Sequence, residues 1–282
     1  MKRASGWTTT GARAAGAMEG AEVGDWTIER VVDELYAAEA GRYDRTPITD
    51  EFPGLDIETA YRAQDLLVER KVADGQTITG VKLGLTSRAK QQRMGIDAPL
   101  TAWLTDAMTL PAGAPAPLAE LIHPRVEPEI VFVLGEDLAG PGITAARAMR
   151  SVSAVLGGYE IIDSRYRDFR FTLPDVIADN ASAARWGSGP VALDPADLDL
   201  SLEACLVEVD GEIVDTATGA AVQGHPAEAL ALAANSLGAR GHRLRAGWIV
   251  LTGGITDAVF LRPGSSVSVQ FSNLGSVTVT GA

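Results

Sequence analysis

The sequence predicts an α+β fold that is mostly β, with a smaller helical region towards its N-terminal side. Apolar residues recur at helical spacing between about residues 26 and 74. Beyond a proline-rich passage at 111–117, short segments of alternating apolar and polar residues predominate. No sequence repeat of fixed period interrupts this order. These observations favour one helical region followed by a β-rich region.

The same observations divide the chain into three regions. Residues 1–24 are rich in Gly, Ala and Thr and show no apolar period, so we expect a flexible extension. An N-terminal α/β region is expected at 25–110. A β-rich domain at 111–282 is expected to be the catalytic one, because most of the candidate site residues lie there. The proline-rich passage marks the predicted boundary.

The N-terminal region contains two predicted helices and one strand. The first helix runs from residue 26 to about 40, and the second follows Asp56, which is a typical N-cap residue. Gly75 is expected to end the second helix. The segment 77–85 alternates like a strand, and a short helix is expected from residue 87 to Met94 and Gly95.

The second half alternates between predicted strands and short helices. An Asp-Gly pair between two alternating segments is typical of a tight hairpin turn. The predicted elements are strands at 125–134, 154–163 and 248–252, helices at 145–152 and 226–237, a hairpin at 206–214 that turns at Asp210-Gly211, and a final β pair at 265–279 with Gly275 between its strands.

Composition excludes several classes of function. The net charge of −13 opposes any general attraction to nucleic acid or anionic lipid. No apolar run approaches the roughly 20 residues that cross a bilayer. The one cysteine, Cys205, lies in an apolar segment and is expected to be a small core residue. These features favour a cytoplasmic protein, and an acidic protein that binds anions needs a local positive centre.

Two glutamates on one strand form the sharpest candidate site. Glu127 and Glu129 are two residues apart, so both side chains face the same side of the predicted strand. That strand then becomes apolar, and paired carboxylates resist such burial unless a cation accompanies them. Glu160 in a later strand is the expected third ligand, because three carboxylates suit Mg²⁺ or Mn²⁺. The alternative is that Glu-x-Glu merely forms a solvated strand face.

Two further polar features accompany these glutamates. Lys82 lies in a strand with Gly84 on the same face, where it would either reach water or serve as a fixed cation. The stretch 160–182 is dense in polar residues. It has the composition of an exposed loop, but loops of this length in compact domains are usually functional.

Taken together, five segments resemble the 2-keto-4-pentenoate hydratase and 2-oxo-3-hexenedioate decarboxylase group, within the wider fumarylacetoacetate hydrolase family. The resemblance extends from about Tyr61 to the C-terminus. The segments are GVKLGLTS at 80–87, HPRVEPE at 123–129, EIIDSR at 160–165, ADNAS at 178–182 and AGWIVLTGG at 246–254.

The resemblance implies a fold and a set of site residues. The fold would be a fumarylacetoacetate-hydrolase-like mixed β-roll around the metal, in an oligomer. Mg²⁺ or Mn²⁺ would bind Glu127, Glu129 and Glu160. Lys82 would be the active-site lysine, and Ser182 would bind substrate.

The resemblance also implies a reaction. The expected reaction is metal-dependent decarboxylation of 2-oxo-3-hexenedioate (4-oxalocrotonate) to 2-hydroxypenta-2,4-dienoate, in the catabolism of aromatic compounds. Leu100 follows Asp97-Ala-Pro99, where related hydratases have an acidic residue, and the segment 163–175 resembles the decarboxylase form. Arg165, or else Arg170, is expected to hold the distal carboxylate of this 2-oxo dicarboxylic acid.

Three alternatives remain at this stage. The chain could hydrate 2-hydroxypenta-2,4-dienoate, or it could be an acylpyruvate-type C–C hydrolase with His123 as its base. It could also be a non-catalytic partner. The resemblance implies a homo-oligomer and a complex with a homologous hydratase that takes the product.

Overall fold

The computed structural model describes residues 26–87, 91, 92 and 99–282. The predicted extension at 1–24, most of the predicted short helix before Gly95, and Asp97 lie outside the described residues. Within the described ranges, no helix is both long enough and apolar enough to cross a membrane.

Two helices begin the described chain, and strands predominate after them, with three further helices between the strands. The helices are α1 (Ile28–Gly41), α2 (Ile57–Ala73), α3 (Ala145–Met149), α4 (Leu173–Ala178) and α5 (Pro226–Ala239). The strands are β1 (Ile78–Gly84), β2 (Leu100–Thr105), β3 (Arg125–Leu134), β4 (Val152–Ile162), β5 (Ala183–Leu193), β6 (Ala204–Val209), β7 (Glu212–Thr218), β8 (Ile249–Leu251), β9 (Val259–Phe260), β10 (Ser266–Phe271) and β11 (Ser276–Thr280).

The two predicted N-terminal helices are confirmed, with their caps. The Thr27 side chain accepts a hydrogen bond from Arg30 N at 3.2 Å, and that of Asp56 accepts one from Thr59 N at 2.8 Å. Each cap satisfies a backbone donor that has no partner inside the helix. The apolar faces of α1 and α2 pack with α4 in one buried cluster.

The larger sheet has the strand order β2-β1-β8-β3-β4-β5, with β9 paired to β3. Only the β1–β8 pairing in this sheet is parallel. The sheet includes β1 and β2, which precede the proline-rich passage, as well as the strands that follow it. The division near residue 110 therefore stays a prediction, and the two predicted regions share one sheet.

A second sheet has the order β11-β10-β6-β7. Its apolar side chains join those of β3 and β4 in the largest core cluster. The predicted hairpin between β6 and β7 is confirmed, with Asp210 at φ 53° and Gly211 at φ 84°, the left-handed values that a tight hairpin turn requires. Cys205 is buried in this core, as predicted.

The polar stretch that follows β4 is exposed only in its middle, at about residues 167–172. It folds into α4 and a tight turn, and Asp163, Arg165, Asp175 and Ser182 are buried. The helix predicted at 145–152 ends at Met149 because β4 already begins at Val152.

The central strand β3 is buried on both sides, and its two faces differ. Its even-numbered side chains, such as Ile130 and Phe132, belong to the largest core cluster. Its odd-numbered side chains begin with Arg125, Glu127 and Glu129 before the apolar Val131. The fold therefore places a row of charged groups inside the molecule, and this row is the start of the site.

Candidate active site

The three predicted metal ligands come together on β3 and β4. Glu127 lies directly opposite Glu160 in the antiparallel register, and Glu129 is two residues further along β3. One carboxylate oxygen from each residue lies within 4.8 Å of the other two. Sequence spacing placed Glu127 and Glu129 on one face of a strand. The pairing of β3 with β4 brings Glu160, the expected third ligand, beside them.

Two of these carboxylates, Glu129 and Glu160, are buried, and Glu127 is half-buried. Glu129 is 0% exposed. Burial, followed by repulsion from Glu160 and Glu127, raises the pKa of Glu129 well above its ordinary value. Its Oε2 accepts a hydrogen bond from Gly253 N at 2.5 Å, whereas its Oε1 is buried without a hydrogen-bond partner among the described residues. A hard divalent cation fits this set, because it would offset most of the negative charge of the triad and bind the free oxygen of Glu129.

Gly253 supplies the donor to Glu129 through an unusual backbone conformation. Strand β8 ends at Leu251, and Gly253 follows with φ +113°. A Cβ atom at this position would lie 2.0 Å from Thr86 Oγ1. Both the dihedral angle and the space therefore require glycine here.

Replacement of Gly253 with alanine is expected to weaken Mg²⁺ binding by about 10-fold to 100-fold, the usual effect of disturbing a group that orients a metal ligand. Isothermal titration calorimetry would measure the affinity. Gly264→Ala is the matched control, because Gly264 has φ +75° but open space around its Cβ position. Equal Mg²⁺ affinities for the two variants would contradict the role of Gly253.

Lys82 faces the carboxylates from β1. Its neighbours Val81 and Leu83 point into the core, so Lys82 lies on the opposite face, as the alternation predicts. The side chain is 3% exposed, and Nζ lies 3.1 Å from Glu160 Oε2. The structure thus shows a fixed, buried cation beside the carboxylate triad rather than a solvated lysine.

A cavity of about 90 Å³ opens beside the carboxylates and Lys82. Lys82, Glu127 and Ser182 are the polar side chains in its lining. The remaining side chains of the wall are mostly apolar, namely Leu85, Leu100, Ile162, Phe169, Phe171, Val176 and Ala181. A charged end and an apolar wall suit a short organic acid with an unsaturated chain.

Ser182 reaches this cavity from a strained turn. Asn180, Ala181 and Ser182 have φ values of 46°, 51° and 57°, which non-glycine residues rarely adopt in succession. The Asn180 amide holds the turn against β2, with hydrogen bonds of 2.9 Å both to Trp103 O and from Trp103 N. Ser182 Oγ lies 3.1 Å from Asp179 Oδ2. Such strain is typical of positions that function selects.

Arg165, predicted to bind substrate, does not line this cavity. Its side chain is 2% exposed, and it binds the Asp179 carboxylate and backbone, with Nη1 donating to Asp163 O at 2.7 Å. Burial would lower the pKa of Arg165, but the carboxylates of Asp179, Glu39 and Asp163 raise it. The geometry does not support substrate binding by Arg165. It shows a buried ion pair that holds the Ser182 turn.

Arg170 does not reach the cavity either, because its guanidinium is exposed and pairs with Asp50. Sequence reasoning overlooked three contributors, Asp179, Gly253 and Phe169. Asp179 and Gly253 belong to two of the segments that carry the family resemblance, 178–182 and 246–254. No spacing rule predicts that Asp179 is the counter-ion of Arg165 or that Gly253 donates a backbone hydrogen bond to Glu129. Phe169 lines the cavity from a turn in which Asp168 and Phe169 both have positive φ values.

Comparison with known proteins shows the family of the chain. The model of the fumarylacetoacetate (FAA) hydrolase C-terminal family matches residues 77–280. The chain is 39% identical to a 4-oxalocrotonate decarboxylase from Pseudomonas sp. (strain CF600) over 248 residues, which cover 88% of this chain and 94% of that protein. It is 35% identical to a 2-hydroxyhexa-2,4-dienoate hydratase from Comamonas testosteroni, over 89% of this chain and 96% of the hydratase.

A solved structure of a related protein has the same fold as this chain. The 4-oxalocrotonate decarboxylase from Pseudomonas putida G7, complexed with magnesium and adipate, matches with a TM-score of 0.88 and 37% identity. The match covers 91% of this chain and 99% of that protein. The predicted mixed fold with a smaller helical N-terminal region is thereby confirmed, and the chain belongs to the fumarylacetoacetate hydrolase family.

Proposed function

We propose that this chain is a Mg²⁺-dependent carboxy-lyase that converts 4-oxalocrotonate to 2-hydroxypenta-2,4-dienoate and CO₂. The observation that supports this most directly is the carboxylate triad at the charged end of an otherwise apolar cavity. Similarity over nearly the whole chain to decarboxylases of this substrate supports the choice of reaction. Mn²⁺ would suit the same oxygen ligands.

The reaction needs a place for negative charge. When the C5–C6 bond breaks, the distal carboxylate leaves as CO₂, and its electrons pass through C5–C4 and C3–C2 to the C2 oxygen. A divalent cation on Glu127, Glu129 and Glu160 would supply Lewis-acid stabilisation of that oxygen. Protonation of the oxygen then gives the dienol product, so no organic cofactor is required.

We infer that Lys82 acts at the same end of the substrate. Its Nζ lies beside Glu160 and lines the cavity, so it can orient the C1 carboxylate and donate the proton that the C2 oxygen takes. Ser182 offers a hydroxyl on the neighbouring wall. The apolar wall excludes water, which strengthens these electrostatic interactions.

Replacement of Lys82 with methionine is expected to lower kcat by about 100-fold to 10,000-fold, the range for a positioned proton donor. Mg²⁺ binding should persist, because lysine is not a metal ligand. Steady-state CO₂ release and calorimetric Mg²⁺ titration would measure the two effects. Lys71→Met is the matched control, since Lys71 is equally buried but pairs with Glu39 outside this cavity. A K82M variant with wild-type kcat would remove Lys82 from the mechanism.

A hydratase is the second candidate, because hydratases are also similar to this chain. One observation favours decarboxylation over it. Leu100 is buried and contributes an apolar side chain to the cavity, so it cannot assist the addition of water. An acylpyruvate-type hydrolase would require a positioned base. His123 is the nearest candidate, but it is absent from the cavity lining.

One pair of assays separates these activities. The purified chain with Mg²⁺ would be given 4-oxalocrotonate, with CO₂ measured, and separately 2-hydroxypenta-2,4-dienoate, with loss of the diene absorbance measured. We expect CO₂ release that a chelator stops and Mg²⁺ restores, and slow or absent hydration. Hydration without CO₂ release would instead establish a hydratase, and inactivity on both would favour a non-catalytic partner.

We infer a homo-oligomer that acts in the cytoplasm during aromatic catabolism, beside a homologous hydratase that consumes the unstable dienol. Sedimentation of the chain alone and with such a hydratase would test both assemblies. A chain that sediments as a monomer and does not bind the hydratase would contradict both proposed assemblies.

A further inference from the structure

Arg125 is a cation on the same face as the metal ligands. It precedes Glu127 by two residues on β3, so their side chains point the same way. In the antiparallel register, Arg125 pairs with Ile162 just as Glu127 pairs with Glu160. Ile162 lines the cavity, so Arg125 occupies the next level beyond the triad.

Two aromatic rings hold the Arg125 side chain. Its guanidinium carbon lies 3.9 Å from the centroid of Phe169 and 4.3 Å from that of Phe260. Among the described residues, its buried Nε has no hydrogen-bond partner and no carboxylate is in ion-pair contact with it, although the charge of Glu127 acts on it from a longer distance. The rings orient the cation without using its donors. By contrast, Arg165 and Arg170 already have carboxylate partners.

The distance from the triad matches the length of a six-carbon diacid. Two residues of an antiparallel strand span about 6.8 Å. Five carbon–carbon bonds of about 1.5 Å place the terminal carboxyl carbons of an extended six-carbon chain roughly 6 Å apart. A diacid with one end at the triad and its chain parallel to β3 would therefore extend its other end to the level of Arg125.

Phe169 connects this cation to the cavity. Its ring lines the cavity, contacts the Arg125 guanidinium and lies 4.8 Å from the ring of His123. His123 Nε2 is buried and lacks a hydrogen-bond partner among the described residues. Arg125 and His123 are not part of the cavity lining, but each contacts the ring of Phe169, which is. Two polar groups with unused hydrogen-bonding capacity thus lie directly behind this aromatic wall.

We propose that Arg125 binds the distal carboxylate of the substrate and selects diacids over monoacids. This inference rests on the proposed function and names its specificity residue. Because the carboxylate leaves as neutral CO₂, its attraction to Arg125 is lost as the reaction proceeds. Arg125 therefore lowers KM rather than raising kcat.

Calorimetry with two unreactive ligands would test this proposal. The probes are 2-oxohexanedioate, which lacks the double bond that would accept the electrons, and 2-oxohexanoate, which also lacks the distal carboxylate. The Mg²⁺-loaded wild type should bind the diacid about 10-fold to 100-fold more tightly, as charge-assisted hydrogen bonds imply. R125Q should lose this preference while its affinity for the monoacid persists, and R125K should retain part of it.

R170Q is the matched control, because it removes an exposed arginine from the same region and should keep the full preference. Retention of the diacid preference in R125Q would overturn the proposal. An equal loss of affinity for the diacid and the monoacid in R125Q would also overturn the proposal, since Arg125 would then have a merely structural role. If the wild type releases no CO₂ from 4-oxalocrotonate but shows an Arg125-dependent preference, only the proposed reaction fails.

Discussion

Replacement of Glu129 with glutamine is expected to abolish Mg²⁺-dependent turnover, yet to stabilise the metal-free protein. Glu129 is buried beside Glu127 and Glu160, and one of its oxygens is free for a cation. Glutamine lacks the charge that attracts Mg²⁺, but it also avoids the burial of a charge and the repulsion from Glu160 and Glu127, which together raise the pKa of Glu129.

Thermal unfolding separates these two effects. Mg²⁺ at about 100 times its Kd should stabilise the wild type by about 2.7 kcal/mol, and should leave E129Q almost unchanged. In the metal-free wild type, the protonated form of Glu129 is favoured by folding. Its contribution to stability is therefore present at low pH and is lost as pH rises through its raised pKa. E129Q should lack this component of the pH dependence.

Glu203→Gln is the matched control for a buried carboxylate. Glu203 is equally buried, but its oxygens accept hydrogen bonds from Asn273 N at 2.8 Å, Asn273 Nδ2 at 2.7 Å and Leu274 N at 3.2 Å. E203Q should lower stability and leave Mg²⁺ binding intact. Normal Mg²⁺ affinity in E129Q would remove Glu129 from the metal site.

Replacement of Asp179 with asparagine is expected to lower the free energy of unfolding by about 3–5 kcal/mol, the usual cost of breaking a buried ion pair from one side. Arg165 would remain buried without its ion-pair partner, with only the more distant charges of Glu39 and Asp163 acting on it. The same carboxylate accepts from Arg165 N at 3.3 Å and from Ser182 Oγ at 3.1 Å, so the strained turn beside the cavity should relax. We therefore expect a loss of activity at temperatures where the variant is still folded.

Urea unfolding would measure the stability and CO₂ release the activity. Asp44→Asn is the matched control, because Asp44 pairs with the exposed Arg167 at 2.9 Å and such pairs contribute about 0–1 kcal/mol. Ser182→Ala, which removes only one of the bonds to Asp179, should cost about 1 kcal/mol. A D179N variant as stable as D44N would show that Arg165 finds another partner.

The sequence by itself determined the local features of this protein. Helical spacing with Asp56 as N-cap predicted α2, and the Asp210-Gly211 pair predicted the turn between β6 and β7. Both are confirmed, because capping and turn geometry depend on neighbouring residues. Strand alternation also placed Glu127 and Glu129 together and put Lys82 opposite the core.

Only the tertiary structure decided what faces these residues. The pairing of Glu127 with Glu160, and of Arg165 with Asp179, joins positions that are distant in sequence. The arginines of the polar stretch looked available for substrate because sequence shows charge without showing its partner. The physical reason is burial, because a charge inside the protein must be compensated by a nearby opposite charge. Arg165 is therefore paired with Asp179. The carboxylate triad lies beside Lys82, and its oxygens are close enough together to bind one metal ion.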